Sequence, residues 1–155
     1  MEALKNQAMT NQDFTASLLV DETPEEVFAA INNIRGWWSE DIEGSTDKPD
    51  HEFMYRDKHL WAKMKITEII PGKRIVWHVL ESQMDNFKGG TEWNGTKLIF
   101  EITKKDDKTK IQFTHFGLVP AFECYTVCSN AWDFYIKSSL QRLITAGKGE
   151  PIKKG

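Results

Sequence analysis

Four histidines, two cysteines and a few strand carboxylates are the groups with which this 155-residue chain could do acid–base, nucleophilic or metal chemistry. His115 alternates with Ile111 and Phe113 along an apolar strand face, so its ring is directed inward. There it would be either a donor or base aimed into a cavity, or a core histidine whose nitrogens are already partnered. His78 is harder to place, because both faces of Arg74 to Glu81 carry apolar residues, and His51 and His59 read as surface or loop positions. Cys124 and Cys128 stand four apart in a segment with helical spacing, which makes them neighbours on one face. They offer two ligands where a zinc site needs three or four, so the sequence implies no metal, and the plain reading is reduced, partly buried thiols. The chain has no G-x-S-x-G elbow, and Gly147-Lys148-Gly149 lacks the spacing of a phosphate loop. Among the carboxylates Glu68, Glu81 and Glu101, Glu101 is out of phase with Leu98 and should be solvated. Glu68 is in phase with Met64 and Ile66 and is the more suggestive acid or base, although a strand-end carboxylate reaching solvent is the commoner case. No catalytic constellation emerges, and no cofactor is implied.

Six tryptophans and nine phenylalanines exceed what a minimal core of this size requires, and such rings both fill space and line ligand pockets. Trp37 and Trp38 could close over a cavity or pack a short helix on a sheet, and Trp61, Trp77 and Trp93 raise the same question. Trp132, central in the longest apolar stripe, should face the cavity together with Cys128 and Ile136 on its own helix. From the sheet, Phe100, Phe113 and His115 complete the expected lining.

The elements that must position these groups are legible in order. Residues 1–12 read as a flexible leader ahead of one domain over 13–150. Phe14 to Val20 reads as a strand, and Thr23-Pro24-Glu25-Glu26 opens a helix with a cap, a proline at its first position and a capping box. A short second helical turn carries Trp37 and Trp38. Leu60–Ile70 and Arg74–Glu81 pair around Pro71-Gly72-Lys73, and Lys97–Lys104 pairs with Thr109–Phe116 across Lys105 to Lys108. The span from Ser82 to Gly95 reads as a long loop holding Phe87 and Trp93. A helix from about Phe122 to Ala146 buries Cys128, Trp132, Tyr135, Ile136, Ser139, Leu140 and Leu143, and Gly147 stops it. Strands and helices segregated in this way specify an α+β domain.

Twenty basic and 23 acidic residues leave a net charge of −3 with no basic stripe, which argues against nucleic acid as a partner. No run approaches the roughly 20 apolar residues of a membrane span, and the polar start lacks a signal-peptide core, so a cytoplasmic location is expected.

The strand leading into Thr23-Pro24-Glu25-Glu26-Val27-Phe28, the Gly36-Trp37-Trp38 turn, the strand end Thr114-His115-Phe116-Gly117-Leu118 and the long Trp132-bearing helix together resemble the START-like superfamily. More closely they are similar to its branch named for the C-terminal domain of the activator of heat-shock-protein-ninety ATPase, whose relatives include polyketide cyclases and plant steroid or hormone binders. The resemblance covers roughly residues 14–146 and is carried by the order of the motifs. It implies a helix-grip fold, a curved antiparallel sheet wrapped around the C-terminal helix with two short helices after the first strand. It also implies a deep cavity that takes a hydrophobic molecule, and no fixed catalytic residues. Three functions follow as expectations. The first is binding of a small hydrophobic or amphipathic ligand such as a lipid. The second is a cyclase- or hydrolase-type enzyme in the same cavity, and the third a co-chaperone or stress-response interaction domain with a chaperone partner.

Overall fold

The computed structural model describes residues 13–85, 87–88 and 90–153, so the expected leader lies outside the described residues. Thr23 accepts a hydrogen bond from the Glu26 amide at 3.1 Å while Glu26 accepts from the Thr23 amide at 3.3 Å, the reciprocal cap that starts α1 (Pro24–Asn32) after strand β1 (Phe14–Val20). A single further turn, α2 (Ile34–Trp37), buries Ile34 and Trp37. The chain then runs through β2 (Ile42–Gly44), β3 (Glu52–Arg56), β4 (Leu60–Ile70), β5 (Arg74–Met84), β6 (Lys97–Lys105) and β7 (Lys108–Phe116). These form one curved antiparallel sheet in the order β1-β7-β6-β5-β4-β3-β2.

Register puts the large apolar side chains in one layer. Phe100 is opposite both Ile75 and Phe113, Trp77 is opposite Ile66 and Leu98, and Tyr55 is opposite Ala62. Since alternation is strict where one face is buried, placing Trp77 inward sends His78 outward. At the β4–β5 turn Pro71 and Gly72 occupy the central positions, and Gly72 takes φ 73°, the left-handed conformation a type II turn demands there. The β6–β7 hairpin is tighter than expected. Asp106 adopts φ 59°, so Lys105 and Lys108 already pair and the loop is two residues.

Two bulges bend the β4–β5 ribbon. One interrupts pairing between Ile66 and Glu68, the other between Val79 and Glu81 opposite Met64 and Lys63. The second leaves Leu80 exposed and returns Ser82 and Met84 to the buried face, carrying β5 three residues past its expected end at Glu81. The first takes Glu68 out of phase with Met64 and Ile66, so that it is the strand-end carboxylate reaching solvent. The extra residue reverses its phase, and its carboxylate accepts from Arg74 at 2.5 Å beside the Arg74–Glu101 pair at 2.7 Å.

The terminal helix begins at Tyr125, after turns through Val119 to Cys124, as α3 (Tyr125–Phe134). It passes through a π-helical stretch, Tyr135–Leu140, and ends as α4 (Gln141–Ala146), closed by Gly147 at φ 81°. Beyond it the chain returns to the body. Ile152 donates to the Trp38 carbonyl at 2.9 Å and accepts from the Glu40 amide at 2.8 Å. Among the described residues no helix is long and apolar enough to cross a membrane.

Candidate functional site

Between helix and sheet the interior is packed with rings. Trp38 stacks on Tyr55 with centroids 4.0 Å apart and lies nearly parallel to Trp77 at 6.1 Å. Trp77 meets Phe100 edge-on at 4.9 Å, and Phe113 sits 4.6 Å from Trp132. Trp37, Trp77, Phe100, Phe113 and Ile136 are fully buried in this filling. They occupy the space that a deep cavity would have needed.

His115 belongs to the same filling. Its Nδ1 accepts the Trp132 indole N–H at 3.1 Å, which leaves the proton on Nε2 to donate to Thr96 Oγ1 at 2.9 Å; Thr96 in turn donates to the Trp93 carbonyl at 2.6 Å. Both nitrogens are taken, and burial holds the imidazole pKa down at about 3. The partnered core histidine is therefore the reading that holds, and the cavity-facing base is not. Trp61 is also corrected. Leu60 and Ala62 point inward, so Trp61 stands half-buried on the outer face, near Arg56 and Gln83.

The filling stops short beside α3. A cavity of about 160 Å³ remains there, bounded by α3, the β3–β4 loop, the end of β5 and the β5–β6 loop. Trp38, Trp93, Trp132 and Cys128 reach its wall, joined by Tyr55, Leu60, Met84, Phe87, Ala131 and Tyr135. Trp93 stacks parallel to Trp132 at 6.0 Å, which roofs the pocket with the loop expected to border a site. That loop is tied down. Glu92 accepts from the Glu123 amide at 3.1 Å, and Glu123 accepts from the Lys88 amide at 3.1 Å.

At the rim, Asp57 Oδ1 accepts from the amides of His59 and Leu60, each at 2.8 Å, and Oδ2 accepts the Tyr55 hydroxyl at 2.7 Å. His59 Nδ1 lies 3.1 Å from Asp85 Oδ1 in solvent. Burial, and then Asp57, raise the Tyr55 phenol well above its ordinary value, and the same causes push Tyr135 up to about 12. Both phenols therefore stay protonated at neutral pH. The pocket offers apolar ring surface and the Tyr135 phenol, with the Asp57 carboxylate and the His59 ring at its rim. Tyr55, Asp57 and Leu60 carried no sequence signal, because their role depends on where the β3–β4 loop closes against α3.

Residues 21–145 match the family described as Activator of Hsp90 ATPase homolog 1-like protein. The chain belongs to that family. Within the START-like superfamily, this family member shares its fold with the Aha1 dimer of Colwellia psychrerythraea. The TM-score is 0.72 at 22% identity, over 88% of this chain and 98% of that one. It is similar too to DynU16, from the dynemicin biosynthetic locus, at TM-score 0.64 and 11% identity over 88% and 48% of the two chains. CalU16 from Micromonospora echinospora aligns at TM-score 0.62 and 13% identity over 87% and 77%. No curated protein sequence matches the family member.

Proposed function

We propose that this protein binds a small apolar or amphipathic molecule, about one substituted ring in size, in the pocket between α3 and the β3–β5 end of the sheet. The observation that carries this reading is the unfilled 160 Å³ beside an otherwise solid aromatic core. Pockets for drug-sized ligands run to roughly 300–1,000 Å³, whereas an apolar cavity of about 150 Å³ accepts benzene. The ligand is accordingly smaller than the sterol or polyketide the family resemblance suggested. Its ring would stack among Trp38, Trp93 and Trp132, with a polar substituent toward Tyr55 and Asp57. Burial of about 150 Å² of apolar surface contributes about 4 kcal/mol, a Kd near 1 mM, before any hydrogen bond is added. In this reading the protein works in the cytoplasm, where free thiols such as Cys124 and Cys128 remain reduced.

Native mass spectrometry of gently purified protein, followed by a thermal-shift screen of phenols, indoles and short-chain acids, tests the proposal. A retained small molecule, or saturable stabilisation abolished by Ala131→Phe, supports it. Equal shifts in the wild type and in a folded Ala131→Phe variant would reject the pocket.

A second reading rests on the family match over residues 21–145, whose description names activation of the Hsp90 ATPase. Stimulation of a purified Hsp90's ATP turnover by this chain would favour it over ligand binding. An unchanged rate would remove it.

A further inference from the structure

Cys124 and Cys128 are both free and buried, with their sulfurs 2.8 Å apart. The Cys128 amide donates to the Cys124 carbonyl at 2.8 Å, so the pair spans one turn at the start of the ten-residue α3. Four residues of helix rise about 6 Å along the axis, within the roughly 4.4–6.8 Å that disulfide-bonded Cα atoms span. Cys128 lines the pocket, and the Cys124 sulfur lies directly behind it, one sulfur–sulfur contact from the pocket wall. The Trp93 indole N–H, which meets no other acceptor, lies beside them.

We propose that Cys124 and Cys128 are an oxidative modification site, at which hydrogen peroxide or a small organic hydroperoxide closes the two thiols to an intramolecular disulfide. The Cys128 thiol donates its hydrogen bond to Cys124, which favours thiolate on Cys124 and holds Cys128 protonated. The Cys124 sulfur attacks one peroxide oxygen and the O–O bond breaks. The other oxygen leaves as water or alcohol with the Cys124 proton, and Cys124 becomes a sulfenic acid. The Cys128 sulfur then attacks the Cys124 sulfur. The S–S bond forms, the S–O bond breaks, and hydroxide leaves as water with the Cys128 proton. Two thiols lose two electrons, and one peroxide gains them.

The full chain, fully reduced, is treated with hydrogen peroxide and followed by intact mass and differential alkylation. The expected product is a monomer lighter by two hydrogens, with residues 124 and 128 cross-linked and recovered by dithiothreitol. Cys128→Ser should stop at a sulfenic acid that dimedone traps, and Cys124→Ser should lose thiol at least about tenfold more slowly. The wild-type alkylation pattern decides the matter even if either variant fails to fold. Thiols that survive peroxide in the native protein but oxidise in urea would overturn the proposal, as would oxygen addition or an interchain disulfide in place of the internal bond.

Discussion

At the scale of single residues, His115 shows how burial converts a reactive side chain into a structural one. Trp132 supplies the donor, Thr96 takes the remaining proton, and desolvation forbids the charged form. The folded pKa of about 3 lies below the roughly 6.5 of an unfolded histidine, so on acidification the unfolded chain takes up the proton first. Stability contributed by the neutral ring is complete above about pH 6.5 and is lost as the pH falls toward the folded value. Urea denaturation of wild type and His115→Gln at pH 7 and pH 5 isolates this effect from the carboxylates. The wild type should lose about 2 kcal/mol between the two pH values that the variant retains. At pH 7 the variant should itself be weaker by about 1–3 kcal/mol, because its amide cannot partner both Trp132 and Thr96 in the same geometry.

At the scale of elements, the terminal helix meets the sheet along Cys128, Trp132, Ile136, Ser139 and Leu140, all buried. The widened π turns between Tyr135 and Leu140 bring Ile136, Ser139 and Leu140 inward together. Ser139 then acts as a tie point. Its hydroxyl donates to the Trp37 carbonyl at 2.7 Å and accepts from the Glu150 amide at 2.7 Å, joining α2, the helix and the returning C-terminal segment. Ser139→Ala strands both partners and should cost about 2 kcal/mol by chemical denaturation. Thr23→Ala removes one hydrogen bond of an exposed cap and should cost about 1 kcal/mol in the same assay. A reversed ranking would mean that the C-terminal segment adds little to the fold.

At the scale of the whole molecule, a sheet that grips a helix must fill or leave open the space between them, and here rings fill most of it. Trp132→Ala should cost about 3–5 kcal/mol, since the indole sits at the centre of the stack, while Trp61→Ala on the outer face should cost under about 1 kcal/mol. Thermal and urea unfolding of the two variants checks that contrast. The sequence alone determined the α+β class, the two hairpins, the Thr23 capping box and the Gly147 stop, because caps, turns and periodicity act within a few residues. It determined also that Phe100, Phe113 and His115 point inward, since alternation needs no knowledge of the partner layer. It placed Glu68 in phase with Met64 and Ile66 but could not see the bulge that turns it out, because a bulge reverses phase without any mark in residue type. The solvent-reaching alternative is the one that holds. Only the tertiary structure decided which inward rings border empty space and which pack against one another. Trp77 in its strand and Trp93 in its loop both raise in sequence the question of lining against packing. One lies in the filling and the other roofs the pocket, because that outcome depends on the volume of side chains arriving from strands and helices distant in the chain.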